Sequence, residues 1–220
     1  MGYNIAIDGP ASAGKSTIAK QVAKKLGYIY VDTGAMYRAM ALHFINHNIK
    51  EEDYPSIVNA CKDAKITIVY ENNLQQVYLN NTNVTEALRQ ENVGIMASKC
   101  SSIPEVRNHL LELQRELARS NNVVMDGRDI GTTILPNANL KIFLTASIEA
   151  RAGRRYKELL EKGVDCKLEA IKHDIEERDL RDKTRAIAPL KKAPDAILID
   201  SSDKNIEEVA AVILGACVWK

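Results

Sequence analysis

The sequence has no surplus of charge of either sign: 30 lysines and arginines stand against 29 aspartates and glutamates. That balance excludes a global field for nucleic acid or an anionic membrane, so any anionic ligand must be met by local clusters of Arg and Lys. Long apolar runs are lacking too. None approaches the roughly 20 residues that cross a bilayer. The amino terminus lacks the basic-then-apolar layout of a secretory signal. Cysteine is sparse: Cys61, Cys100, Cys166 and Cys217 form no C-x-x-C pair. This argues against structural zinc or a disulfide framework and sets the expectation of reduced thiols in the cytoplasm. Internal repeats and low-complexity linkers are missing. With 220 residues the chain can bury a sizeable core as one domain. No apolar seam for a second subunit is evident, so a monomer is expected.

What the sequence does have is Gly9-Pro10-Ala11-Ser12-Ala13-Gly14-Lys15-Ser16-Thr17, which fits the phosphate-binding pattern G-x-x-x-x-G-K-[ST]. Small residues let the backbone form a nest of N–H groups around phosphate oxygens. Lys15 supplies a mobile point charge for the outer phosphates, expected to face solvent without nucleotide. Ser16 offers a hydroxyl to magnesium. Residues 3–8 (YNIAID) read as a buried strand before the loop. Ile18, Val22, Ala23 and Leu26 recur at helical spacing after it, with Gly27 as the stop.

Four more short apolar strands follow, at residues 28–31, 123–125, 140–144 and 196–199. They are separated by helical stretches, which argues for a parallel sheet with helices on both faces. Ligands gather at the carboxyl ends of such strands. Asp32 to Arg38 lies at one such end, and Arg38 is a candidate for a second anion. Asp126-Gly127-Arg128-Asp129 lies at another. Its charges are costly unless paired, and Gly127 permits a tight turn that aims them into a cleft. Asp126 is placed to hold magnesium through water. Between these, residues 66–70 and 76–79 flank a polar turn with Asn72 and Asn73 and read as an inserted β-hairpin. Its role is to shape or close a pocket, or merely to pack. Ser147 is the expected cap of a helix carrying Arg151, Arg154 and Arg155. A second helix carries Arg178, Arg181 and Asp182, with Arg185 just beyond. Two readings stay open here. Solvated helices laced by pairs such as Asp174–Arg178 would look the same. So would a flap that delivers arginines to a transferring phosphoryl group.

GPASAGKST, DTGAMYR, DGRDIGT and RDLRDKTRAIAPL occur in this order and spacing. With them the chain resembles the bacterial cytidylate kinases, of the nucleoside monophosphate kinase superfamily, over nearly its full length. Thr33 stands where some relatives have serine. The resemblance implies an α/β three-layer P-loop fold: a five-stranded parallel sheet with helices on both faces, an inserted monophosphate-binding lobe with a small hairpin, and a short helical lid. The core would span residues 1–32, 104–150 and 186–220, the lobe about 33–103 and the lid about 151–185. It implies phosphoryl transfer from ATP to CMP or dCMP with Mg2+, and no nucleic-acid or membrane partner. Residues Gly9, Pro10, Ala11, Ser12, Ala13, Gly14, Lys15, Ser16 and Thr17 would hold ATP phosphates. Arg151 and Arg154 would join them, with Arg151 the candidate to stack on adenine. Arg38 and Arg128 would bind the phosphate of CMP beside Thr33 and Tyr37. Ser98, Arg107 and Asp129 would read cytosine. Arg178, Asp182 and Arg185 would close over phosphates and ribose. Lys15, Arg128, Arg178 and Arg185 would be the catalytic cations, and Ser16, with Asp126 through water, the metal site.

The chemistry supports the same assignment. A phosphate monoester is mostly dianionic at neutral pH, its second pKa being about 6, and can attack without a general base. Cytosine offers an amino donor and two acceptors, which Asp129 and Arg107 can complement. Two other classes compete. An alcohol kinase on the same scaffold, acting on shikimate or a nucleoside, would use Asp32 or Asp126 as base. A GTP-binding switch would need an N-K-x-D-like segment, and Asp200-Ser201-Ser202-Asp203-Lys204 does not fit it.

Overall fold

A computed structural model gives the fold and describes residues 2–72 and 74–217. Strand β1 (Asn4–Asp8) leads through the glycine loop into α1 (Lys15–Leu26), β2 (Ile29–Asp32) and α2 (Thr33–Asn46). Helix α3 (Tyr54–Asp63), strands β3 (Ile66–Glu71), β4 (Leu74–Leu79) and β5 (Thr82–Asn83), and helix α4 (Glu91–Cys100) come next. Helix α5 (Pro104–Ser120) returns the chain to β6 (Val123–Gly127) and β7 (Leu140–Thr145). The helices α6 (Ile148–Glu161) and α7 (Leu168–Thr184), then β8 (Ile197–Asp200) and α8 (Ile206–Ala216), complete it.

The expected parallel sheet is there, in the order β2-β6-β1-β7-β8, with every pairing parallel. Alternation of side chains sends Ala6, Val31 and Met125 into a core with α2 and α5. Ile5, Ile7, Val124 and Leu144 go to the opposite face against α1 and α8. A sheet buried on both sides needs near-continuous apolar strands, and these strands have them. Because all five run the same way, their carboxyl ends share one edge. Asp32 stands opposite Asp126, and Asp8 opposite Gly127, so three strands deliver acidic residues to one line.

The insertion is a three-stranded antiparallel sheet, β3-β4-β5, one short strand more than the expected hairpin. Asn72 turns it with a positive φ of 52°; Asn73 lies outside the described residues. Its contribution exceeds pocket shaping or packing. Strand β2 is at the edge of the main sheet, with backbone groups facing outward that need partners. Tyr70 donates its hydroxyl to the Tyr30 carbonyl at 3.1 Å. Gln75 accepts from the Asp32 N–H at 2.9 Å and donates to the Asp32 carbonyl at 3.2 Å. The insertion thereby closes the edge where the site begins.

Local signals account for the element starts. Asp32 caps α2 by accepting from the Ala35 N–H at 3.0 Å, and Ser147 caps α6 as expected, through Ala150. Helix α8 carries a capping box of Asn205 and Glu208. The last strand sits one residue later than the sequence suggests, because Asp200 still pairs with Thr145. Among the described residues no helix is long and apolar enough to cross a membrane.

Candidate active site

In the glycine loop the backbone polar groups are sorted by direction. The carbonyls point into the protein and have partners there. Lys15 Nζ donates to Pro10 O at 2.6 Å, Arg151 Nη1 to Ala11 O at 3.2 Å, and the Ser201 hydroxyl lies 3.3 Å from Ala13 O. The N–H groups of Ala11, Ser12, Ala13 and Gly14 find no acceptor among the described residues. Orphan amides gathered at a helix start are an anion seat. Gly14 makes the turn possible: as the cap of α1 it has φ 86°, a left-handed conformation that costs glycine little. Lys15 corrects an expectation. It does not face solvent but is 6% exposed. Burial, then the nearby Arg128, push its ammonium well below the usual lysine range, against an opposing pull from Asp126. Its side chain turns back to donate to the loop's own carbonyl, Pro10 O.

Asp126 is also buried. Its Oδ2 accepts from the Ser16 hydroxyl at 2.9 Å and its Oδ1 from the Tyr30 hydroxyl at 2.9 Å. Burial foremost, and the facing Asp32 next, push this carboxyl up to about 6. The donor set is hard oxygen, a hydroxyl beside a carboxylate at the loop's mouth, which fits a magnesium ion that keeps most of its waters. Thr33 is only 3% exposed, and it commits its hydroxyl proton to Asp126 O at 2.7 Å. That bond ties α2 to β6. Gly127 differs from expectation as well. It ends β6 without a left-handed turn, and an added Cβ would lie 2.6 Å from Ile130 and 2.9 Å from the Thr33 hydroxyl oxygen. Close packing explains the glycine.

Beside the loop stands a group of cations. Arg128 donates through Nε to Asp182 at 2.8 Å. Arg178 is half-buried, its Nε is buried with no partner, and it forms no pair with Asp174 among the described residues. Burial first, then Arg128, push Arg178 down to about 10, with Arg38 adding to the effect. Burial alone would raise Asp182, but Arg128, Arg178 and Arg185 outweigh it and hold that carboxylate below its usual range. Arg38 makes no ion pair among the described residues. Arg128 thus acts on both Lys15 and Arg178, and Arg38 on Arg178, with Asp182 as the carboxylate between Arg128 and Arg178 and Asp126 beside Lys15. Repulsion of this kind is what an incoming anion relieves.

A second group is centred on Asp129. Arg107 pairs with its Oδ2, and Arg185 Nη2 with its Oδ1 at 3.3 Å. Asp129 and Arg107 are both buried, and the Arg107 guanidinium lies 5.8 Å from the Tyr37 ring centroid. The Ser98 hydroxyl is buried without a partner, as is the side-chain nitrogen of Gln114. Tyr37, Arg107, Gln114 and Ala188 border a cavity of about 190 Å3. The structure brings Arg107 and Asp129 together, and adds Arg185, whose ion-pair partner is Asp129.

The arginines between residues 151 and 185 divide. Arg151 is 3% exposed, donating to Ala146 O and Ala11 O and pairing with Asp179 at 2.7 Å. Its buried guanidinium has no open face for adenine, which corrects that assignment. Arg154 reaches Ser201 and through it the loop. Arg155 and Arg181 pair with Glu158 and Glu177 on the exposed faces of their own helices. Only Arg178 and Arg185 turn toward the clefts.

Sequence reasoning passed over Asp8, Tyr30 and Arg115. The signal for Asp8 was present: it closes an apolar strand, as Asp32 and Asp126 do. Tyr30 follows from alternation in the Tyr28–Val31 stretch, which sends its ring inward beside Asp126. Arg115 looked like any arginine on an amphipathic helix.

The cytidylate kinase family has a sequence model, and it matches residues 5–217. The chain belongs to the cytidylate kinase family. A protein named cytidylate kinase from Caldicellulosiruptor saccharolyticus is 52% identical over 211 residues, covering 96% of this chain and 93% of that one. One of the same name from Leuconostoc mesenteroides is 49% identical, covering 96% and 94%. Among solved structures, an uncharacterised protein from Eubacterium ventriosum superposes with a TM-score of 0.52 at 14% identity, covering 98% of this chain and 97% of that one. At that identity the likeness shows the fold alone.

Proposed function

We propose that the protein transfers the γ-phosphoryl group of ATP to CMP or dCMP, giving ADP and CDP or dCDP. The observation that carries this reading is the cation group, Lys15, Arg128 and Arg178 with Arg38, between the orphan loop amides on one side and the Asp129 group on the other. Two anions seated there would face each other across it.

The loop amides and Lys15 hold the phosphates of ATP. Arg38 and Arg128 hold the phosphate of CMP, and Arg178 spans the gap. An oxygen of the CMP phosphate attacks the γ-phosphorus, the new O–P bond forms as the β–γ bridge breaks, and the electron pair leaves on ADP. The dianionic acceptor needs no general base. Positioning and neutralisation of charge in flight therefore supply the catalysis. Ser16, with Asp126 through water, would hold Mg2+, which on binding neutralises and orients phosphate oxygens. Asp126, the base an alcohol kinase would use, is already engaged by Ser16 and Tyr30, and the family match leaves that alternative unfavoured. Asp129 accepts from the cytosine amino group and Arg107 donates to the ring acceptors, with Ser98 beside them. Uracil reverses two of these positions, and each buried mismatch costs about 1–3 kcal/mol. Residues of about 151–185 act as the lid, with Arg178 and Arg185 closing on phosphates and ribose, which excludes water from the transfer.

The test is ADP release measured across the common nucleoside monophosphates and shikimate. CMP and dCMP should be turned over with kcat/KM at least about tenfold above UMP, as one mismatch implies. Equal values for CMP and UMP would remove the base-reading assignment. Turnover of shikimate but not CMP would overturn the reading as a whole.

A further inference from the structure

The segment that carries Arg128 and Asp129 continues into a single wide helical turn, Ile130–Ile134. That turn is gripped at both ends by side chains outside it. At its start, Asp8 Oδ1 accepts from the Ile130 N–H and Oδ2 from the Gly131 N–H, both at 2.8 Å. At its finish, Arg115 donates through Nε to Ile134 O at 3.1 Å and through Nη2 to Thr133 O at 3.1 Å. An anion therefore takes the first amides of the turn and a cation its last carbonyls, the arrangement a helical dipole favours. Each contact is a fork, two bonds from one side chain, which fixes orientation as well as distance.

We propose that Asp8 and Arg115 are positioning residues for the acceptor: together they hold the Arg128–Asp129 corner in register with the phosphate loop. Asp8 couples the two seats directly. Its backbone runs into Gly9 and the ATP loop, and its side chain holds the turn that presents Arg128 to the acceptor phosphate and Asp129 to the base. The spacing between the two anion seats then depends on one residue. Neither Asp8 nor Arg115 touches substrate in this scheme. Asp8 is 4% exposed, and burial foremost pushes its carboxyl up to about 6 in spite of the two amides and the neighbouring Lys15, while the charge of Asp129 adds to the rise. A buried carboxylate held at such cost, outside the reacting group, requires a task that its two bonds perform. Misplacement by about 1 Å at a reacting centre costs on the order of 10²-fold in rate.

This inference rests on the proposed transfer to CMP, so wild-type turnover of CMP is the first measurement; its absence would remove that reading before the clamp is reached. With wild type active, Asp8→Asn, Arg115→Met and Arg115→Lys are compared by kcat, by KM for CMP and for ATP, and by the CMP-to-UMP ratio, with thermal unfolding alongside. Asp8→Asn keeps one acceptor and turns an NH2 toward the second amide. Arg115→Met removes the fork at a half-buried site and is the variant expected to stay folded if Asp8→Asn does not. The expected result is a fall of about tenfold or more in kcat/KM for CMP, a KM for ATP within about twofold of wild type, and a CMP-to-UMP ratio moving toward one, scaled from the misplacement cost above. Arg115→Lys should recover part of the ratio through charge and a single bond. Folded Arg115→Met with both KM values and the base ratio unchanged would overturn the proposal. So would equal losses toward ATP and CMP, the signature of a merely structural role.

Discussion

Arg178→Met separates the binding of anions from the stability of the fold, because the two should move in opposite directions. Arg178 is charged in both the folded and unfolded chain at neutral pH. Its folded pKa is pushed down to about 10 by burial and by Arg128, so the charged form is disfavoured in the fold at every pH below that value. A fall of that size corresponds to about 3 kcal/mol at about 1.4 kcal/mol per pH unit. The side chain keeps partial access to solvent, and screening reduces the effect to about 1–2 kcal/mol. Methionine fills similar space without the charge, and Arg128 keeps its pairing to Asp182. The variant should therefore unfold at a higher temperature than wild type, by about 2–8 °C for a chain of this size. Its kcat should fall by about 10²–10³, the usual loss when one preset donor to developing charge is removed. Thermal unfolding at pH 7, in dilute non-binding buffer and then in phosphate, gives the assay. Phosphate should raise the wild-type midpoint more than the variant's, since the relief of repulsion is part of wild-type binding. A variant that unfolds no later than wild type and still turns over CMP at more than about a tenth of the rate, a difference of about 1.4 kcal/mol, would refute the role given to the cation group.

Lys15→Ala should reduce turnover more than tenfold, about 1.4 kcal/mol or more, with the KM for CMP little changed; because Lys15 is buried among like charges, the midpoint should rise. Asp129→Ala should raise the KM for CMP by about tenfold or more while sparing ATP, and should lower stability by about 3–5 kcal/mol, since it leaves Arg107 and Arg185 as buried charges without their partner; an unchanged KM for CMP would count against base reading. For Asp126 the sign runs toward acid. Its folded pKa of about 6 lies above the unfolded value, so the cost of its charge is present above that pH and disappears as pH falls through it. The unfolding midpoint of wild type minus that of Asp126→Asn should then increase between pH 7 and pH 5, and a difference that shrinks would contradict the burial assigned to this carboxylate.

Much of this arrangement was legible in the chain because it depends on local order. Apolar strands ending in Asp8, Asp32 and Asp126 needed only their pattern and the rule that parallel strands share a ligand-binding edge. The loop amides followed from small residues and Gly14. What was not legible depends on which way a side chain turns. Arginines 151, 154, 155, 178, 181 and 185 have one chemistry in the sequence. Helix packing sends Arg151 and Arg154 under the phosphate loop, Arg155 and Arg181 to the surface, and only Arg178 and Arg185 to the clefts. A hydrophobic pattern with so few apolar residues as that of α7 fixes this rotation poorly. The inward turn of the Thr33 and Lys15 side chains escapes the sequence for a related reason. Both have functional chemistry, and burial decides whether a hydroxyl or an ammonium is spent inside the protein.

The division of the arginines between residues 151 and 185 carries a mechanical consequence. Arg151 joins the Ala11 carbonyl to Asp179 of α7, and the Ser201 hydroxyl joins Arg154 to the Ala13 carbonyl. The backbone of the glycine loop and the anchored ends of α6 and α7 are therefore one hydrogen-bonded unit, a floor under the loop. A helical pair anchored in this way has its freedom beyond the anchor, toward the connection between α6 and α7. Arg178, beside the anchored Asp179, and Arg185, paired with Asp129, lie at this anchored end rather than at the far connection between α6 and α7. Such a floor suits a reaction that depends on placement. The loop amides are fixed by their own backbone, so the free energy of anion binding goes to relieving repulsion among the cations rather than to building the seat.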